Sequence, residues 1–266
     1  MLNIVFLLVS TLGTVCIYLG APTLSLWWLA PVWIACYAGA VLCHILLICI
    51  SSLFLSASKP IKKPNRFCRF MIPFTLEWVL KLFRVHVILK GKEKIPNEPC
   101  VIISNHLSNF DPLAMLVALH KRNLVYISKD TNFRLPCVGN YINNAGFISI
   151  DRNNGVRALR SLNLAAERMA EIGVDVGVYP EGTRSKSGVL LRFKTGAFHL
   201  AQSAGAPIVI LTTKGTAEVR KNFPLRKTRV EMEVHEVIDA ETVKAKTVDE
   251  LCAYARAVVE RELERI

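Results

Sequence analysis

Polar and apolar positions divide this chain sharply. No Lys, Arg, Asp or Glu occurs between Met1 and Ser58, and apolar residues fill most of that stretch. One apolar run extends from about Leu2 to Leu19 and a second from about Trp27 to Ile50. Each is long enough to cross a bilayer, which takes roughly 20 apolar residues. Ala21-Pro22-Thr23 separates them with turn chemistry. Trp27, Trp28 and Trp33 stand near one end of the second run, where interfacial aromatics gather. The first run lacks the basic start and small-residue cleavage site of a signal peptide. The pattern predicts a transmembrane helical hairpin as an anchor over residues 1–58.

Residues 59–84 mix aromatic and basic side chains. Phe67, Phe70, Phe74, Trp78 and Phe83 alternate with Arg66, Arg69, Lys81 and Arg84. Such a stretch beside a span suits the lipid interface, and equally a helix packed on a core with one solvated face. Pro73 argues against one continuous helix here.

From Val85 the period changes. Short β-type runs at residues 85–89, 100–104, 124–127, 147–150, 174–179, 208–211 and 229–237 alternate with helical segments at 112–120, 156–171, 197–203 and 248–263. In the second of those helices Leu159, Leu162, Ala166 and Met169 form the apolar stripe. Strands alternating with helices predict an α/β domain over residues 85–266, with helices flanking a mixed, mainly parallel sheet.

Composition adds orientation. The chain of 266 residues carries a formal net charge of +12. Lys59, Lys62, Lys63, Arg66 and Arg69 follow the second span, which places that flank, and the domain after it, on the cytoplasmic face of the membrane. The charge suits an anionic lipid surface. Charge alone would also suit nucleic acid, but the apolar hairpin and the lack of a recognition motif point away from that partner. Eight cysteines include no C-x-x-C pair, so neither a zinc site nor a disulfide framework is expected.

Chemistry concentrates where strands end, as it does in α/β sheets. The second strand runs into Ser104-Asn105-His106, with Asp111 five residues beyond His106. A histidine there can take a proton near neutral pH. An aspartate in reach can fix its tautomer and stabilise the imidazolium. Asp111-Pro112 is also good helix-capping chemistry. Tyr179-Pro180-Glu181-Gly182-Thr183-Arg184 follows a later strand, and Ile150-Asp151-Arg152 ends another. Arg184 and Arg152 offer forked cations suited to phosphate. The plainer alternatives are an ordinary turn at Glu181-Gly182-Thr183 and a surface ion pair between Asp151 and Arg152, worth under about 1 kcal/mol.

Taken in order, Asn105-His106 with Asp111, Ile150-Asp151-Arg152, Pro180-Glu181-Gly182-Thr183-Arg184 and Ala206-Pro207-Ile208-Val209 resemble the four blocks of the glycerolipid acyltransferase family, specifically the 1-acylglycerol-3-phosphate acyltransferases. The resemblance covers roughly residues 85–240. It implies acyl transfer from acyl-coenzyme A or acyl-carrier protein to the sn-2 hydroxyl of lysophosphatidic acid, without metal, cofactor or covalent acyl-enzyme. It also implies roles. His106 matches the general base and Asp111 its orienting carboxylate. Arg152 and Arg184 match residues that hold the acceptor phosphate, and Gly182 and Thr183 shape that loop. Glu181 orients its neighbours. Lys129 matches a lysine near the thioester, and Lys194 lies in Phe193-Lys194-Thr195-Gly196, the segment after the third block. Ser149 and Tyr179 depart from the commoner large apolar residue and phenylalanine. The rival readings are the same chemistry on another lysolipid, such as lyso-ornithine lipid, and a membrane-tethered lipid-binding protein without catalysis.

The anchor is testable directly. Reporter fusions at the Ala21-Pro22 loop and after Lys63 are expected to report opposite sides of the membrane, and agreement between them would overturn the hairpin.

Overall fold

The computed structural model describes residues 2–21, 23, 25–55, 61 and 63–265. Pro22 of the interhelical turn and Lys59 and Lys62 of the basic flank lie outside the described residues. Helices α1 (Leu2–Gly20) and α2 (Leu29–Leu53) pack on each other, and a short 3-10 turn at Leu26–Trp28 leads into the second. Both are long and apolar enough to cross a membrane, by length and composition. Only 22% and 6% of their most apolar windows are buried, whereas a core helix of a soluble protein would be mostly buried. A hydrogen bond and a ring contact tie the hairpin to the next helix. His44 hydrogen-bonds Thr75 at 3.1 Å, and the Phe6 ring meets Trp78 edge-on at 5.6 Å.

That next helix, α3 (Arg66–Leu82), runs unbroken through Pro73, against the expectation of a break. Proline in a helix interior costs about 3 kcal/mol. Burial of Cys68, Met71 and Leu80 against the domain core offsets this, at roughly 1.5–3 kcal/mol for each large apolar side chain. The Asn65 side chain caps its start by accepting from the Phe67 and Cys68 N–H groups. Phe67 and Phe70 remain exposed, so α3 joins both expected characters, core-packed on one face and aromatic on the other.

The remaining elements follow in order: β1 (Val85–Lys90), β2 (Val101–Ser104), α4 (Phe110–Ala118), β3 (Leu124–Lys129), α5 (Asp130–Phe133), α6 (Val138–Asn144), β4 (Ile148–Ile150), α7 (Gly155–Ile172), β5 (Asp175–Val178), α8 (Gly196–Ala204), β6 (Ile208–Lys214), α9 (Val219–Asn222), β7 (Thr228–Ile238), α10 (Ala240–Ala245) and α11 (Val248–Glu264). The strands form one sheet in the order β1-β7-β6-β2-β5-β3-β4. Every neighbouring pair is parallel except β6 and β7, so the sheet is mixed and mainly parallel, flanked by helices. All of β2 is buried, as its continuous apolar sequence requires of a strand covered on both faces. One stripe needs correction. Leu159 of α7 is exposed, and Arg168 is buried instead, donating to the carbonyls of Gly146 and Ile61.

At the amino ends of the central strands, Asp175 acts as a clamp. Its carboxylate accepts from the Cys100 N–H at 3.0 Å and from the Nε and Nη2 of Arg122. Arg122 also donates to the carbonyls of Pro96 and Glu98. Removing one partner of a buried pair strands the other. Asp175→Ala is therefore expected to lower stability by about 3 kcal/mol, read as a lower thermal midpoint, while turnover of the folded fraction at lower temperature stays unchanged.

Candidate active site

β2 lies between β6 and β5 and runs parallel to both, so its carboxyl end opens at the middle of the sheet. The chain leaving it is held from several sides. Asn105, fully buried, accepts from the Thr213 N–H at 2.7 Å and donates to the Thr213 carbonyl at 2.9 Å. The next peptide is clamped as well. His106 N–H donates to Glu181 Oε1 at 2.6 Å, and its carbonyl accepts from the Ser185 N–H at 2.8 Å. The imidazole therefore projects from a backbone with little freedom.

Asp111 orients the ring. Its Oδ2 accepts from His106 Nδ1 at 2.7 Å, from the Leu107 N–H at 2.7 Å and from the Ser108 N–H at 2.8 Å. Its Oδ1 accepts from the Thr216 hydroxyl. The carboxylate has no solvent exposure, so these donors replace water. Because a carboxylate so surrounded only accepts, Nδ1 carries the proton and the Nε2 lone pair is left free. Among the described residues nothing hydrogen-bonds Nε2. The capping alternative fails here. α4 begins at Phe110, its cap is Asn109, and Asp111 turns back to the preceding loop instead of bonding the helix N–H groups ahead.

The other face of the imidazole stacks on Tyr179, with centroids 4.2 Å apart and planes 16° from parallel. Tyr179 stacks in turn on Tyr126 at 5.7 Å. Gly177 makes room for this stack, since a Cβ there would meet the Tyr126 ring at 2.5 Å. Burial pushes both phenols upward in pKa, which keeps them protonated.

His106 opens onto a cavity of about 910 Å³ whose lining is of two kinds. Lys129, Arg152, Thr183 and Arg184 supply cations and a hydroxyl, while Ile48, Leu76, Leu113, Leu135 and Ile142 supply apolar surface. Ile48 belongs to α2, so the apolar part reaches the hairpin. Two acids of the lining are engaged by arginines: Asp130 pairs with Arg134 at 3.0 Å and Asp151 with Arg157 at 3.3 Å. Arg152 thus does not pair with Asp151. It donates to the Gly182 carbonyl, and Gly182 itself has φ +70, a conformation that favours glycine.

Three expected site residues stand behind the cavity surface. Glu181 is buried and bridges two loops, accepting from the His106 and Leu191 N–H groups. Burial pushes its pKa up, and those two N–H groups pull it back. Gly182 gives its carbonyl to Arg152, and the Lys194 chain packs over Gly182. Sequence reasoning did not assign Thr216, which completes the Asp111 site from 105 positions away and has no local signal. It also undervalued Tyr179, whose departure from phenylalanine had been noticed without its stacking on His106.

A buried His–Asp dyad at a strand end, facing a cavity lined by cations and by apolar side chains, suits proton-transfer chemistry on an anionic amphiphile. Residues 86–213, just under half of the chain, match the family model described as Acyltransferase. The match contains every site residue named above from His106 to Lys194. The chain is 29% identical over 205 residues to the 1-acyl-sn-glycerol-3-phosphate acyltransferase of Haemophilus influenzae, covering 74% of this chain and 85% of that protein. It is 36% identical over 137 residues to human 1-acyl-sn-glycerol-3-phosphate acyltransferase beta, covering 50% of this chain and about half, 49%, of that one. Its fold resembles the crystal structure of the 1-acyl-sn-glycerophosphate acyltransferase of Thermotoga maritima, with a TM-score of 0.59 at 24% identity over 100% of this chain and 97% of that one.

The dyad can be tested by one atom. In Asp111→Asn the amide oxygen can keep the Leu107, Ser108 and imidazole bonds, and its NH₂ can donate to Thr216. The variant is expected to melt near the wild type yet lose turnover by about 100-fold or more, the scale of general-base catalysis. Near wild-type turnover would overturn the paired mechanism.

Proposed function

We propose that this protein transfers a fatty acyl group from an acyl thioester, acyl-coenzyme A or acyl-carrier protein, to the sn-2 hydroxyl of lysophosphatidic acid, giving phosphatidic acid. The observation that carries the reading is that the imidazole of His106, whose Nε2 is left free by the Nδ1 bond to Asp111, opens onto one cavity lined both by Lys129, Arg152 and Arg184 and by apolar side chains. An acceptor seated with its phosphate toward Arg184 and Arg152 would present its hydroxyl to that nitrogen. The hydroxyl proton passes to Nε2 as the oxygen forms a bond to the thioester carbonyl. The carbon–sulfur bond then breaks, and the imidazolium returns the proton to the leaving thiolate. Asp111 holds the tautomer and stabilises the imidazolium between those steps. Lys129, which lines the same cavity, is suited to the developing negative charge.

The anchor belongs to the same reading. Residues 1–58 serve as the membrane hairpin, 59–84 as the interfacial segment and 85–266 as the catalytic domain, held on the cytoplasmic face. Support comes from the unburied apolar surfaces of α1 and α2 and from Lys63, Arg66 and Arg69 beyond them. A cavity that reaches α2 suits substrates taken from the bilayer.

Arg184 gives the clearest test of the acceptor, because no protein acceptor engages its guanidinium among the described residues. Arg184→Ala is expected to raise the KM for lysophosphatidic acid about 10-fold or more, as the loss of a charged hydrogen bond implies. The KM for the acyl donor should hardly change. Equal weakening toward both substrates would reject the phosphate role.

A further inference from the structure

A second cavity, of about 230 Å³, lies between α3 and the loop joining α4 to β3. Arg69, Phe70, Leu119, His120, Lys121 and Phe147 are among the residues that line it. Ile72, Leu116 and Phe147 line both this cavity and the larger one, so they form the partition between the two. None of the dyad residues reaches it, and its role does not depend on the acyl-transfer reading.

Its chemistry is unbalanced. Arg69 donates from Nε to the Ala145 carbonyl at 3.3 Å, but its Nη2 is buried and has no hydrogen-bond partner among the described residues. An unsatisfied buried donor of this kind is rare in folded proteins and costly to keep. A second guanidinium, that of Arg168, is buried nearby and satisfied only by backbone carbonyls. Among the described residues no carboxylate pairs with either arginine, although Glu171 lends Arg168 a favourable field. Burial and the repulsion of Arg168 both push the Arg69 pKa down. At the rim, exposed His120 has Nδ1 engaged by the Val117 carbonyl, which leaves its other nitrogen available, and Lys121 is exposed beside it. The walls are apolar, with Ile72, Pro73 and Leu124 completing them, and the exposed ring of Phe70 stands at the edge. α3, which supplies Arg69, is the helix on which the apolar hairpin rests.

A buried cation lacking an anion, a cationic rim and apolar walls fit an amphiphilic anion. We propose that this cavity binds a phosphate group, that of an anionic phospholipid headgroup, with the phosphate on Arg69 and the glycerol and first acyl carbons along Phe70, Ile72 and Leu119. Occupancy would give the Arg69 and Lys121 cations an anion and fasten α3 to the domain at the membrane surface. A lipid there is a structural ligand, separate from the substrate.

The test uses the full chain, purified in a nonionic detergent. Binding and thermal midpoint are measured with dihexanoyl phosphatidylglycerol, dihexanoyl phosphatidylcholine and inorganic phosphate. Phosphatidylglycerol is expected to bind saturably and raise the midpoint, with the neutral phosphatidylcholine weaker. Arg69→Gln should weaken phosphatidylglycerol roughly 10- to 150-fold, the loss of one charged hydrogen bond expressed as affinity. Arg184→Ala, in the larger cavity, should leave that affinity unchanged. Inorganic phosphate matching phosphatidylglycerol in affinity and shift would keep the phosphate site and reject the lipid as its source. Because Arg69 is half-buried, Lys121→Gln at the exposed rim is the second variant, and it should weaken binding several-fold in a fully folded protein. Undiminished phosphatidylglycerol affinity in Lys121→Gln together with either loss of affinity in Arg184→Ala or none in Arg69→Gln would overturn the proposal.

Discussion

Everything at the active end of this sheet depends on the buried carboxylate of Asp111. It sits out of contact with solvent and takes four donors, from the His106 ring, the Leu107 and Ser108 N–H groups and the Thr216 hydroxyl. A charge stripped of water is tolerable only when donors replace the water. Here the same donors define the geometry. The two backbone bonds curl the loop after β2 so that His106 and Asp111 face each other, and Thr216 ties that loop to the segment following β6. Folding the loop and orienting the imidazole are thus one event.

The sheet separates stability from chemistry along its strands. At the amino ends, Asp175 and Arg122 join β5, the start of β2 and the loop before β3 in one buried ion pair. At the carboxyl ends, Glu181 spends its carboxylate on the N–H groups of His106 and Leu191, and so holds two loops in register instead of meeting substrate. The cations that do reach the cavity, Lys129, Arg152 and Arg184, come from three different strand ends. Such an arrangement concentrates positive charge beside His106, while the acids near it are neutralised by Arg134 and Arg157.

The hairpin also contributes to the site. Ile48 of α2 and Met71, Ile72 and Leu76 of α3 form part of the large cavity, so the apolar part of the site is built from elements that precede the α/β domain. α3 does this despite Pro73, because its buried face outweighs one missing hydrogen bond. It also supplies Arg69 to the smaller cavity, which places two ligand-sized spaces against one helix.

The sequence by itself determined the charge-free hairpin, the alternation of strands and helices, and the blocks around His106, Asp111, Arg152 and Glu181–Arg184. These are local signals: hydrophobic period, charge, and residues close together in the chain, with His106 and Asp111 only five apart. Fine boundaries and the continuity of α3 through Pro73 were not legible, because tertiary burial overrides local propensity. Nor could the sequence divide Glu181, Gly182 and Lys194 from the residues that face the cavity, since neighbours along a loop point in different directions. Thr216, Asn105 bonded to Thr213, the Tyr126–Tyr179–His106 stack and the Arg69 nitrogen left unpartnered among the described residues were decided only when distant segments met. Long-range hydrogen bonds and ring contacts leave no periodic trace in a single chain, so only the tertiary structure could assign them.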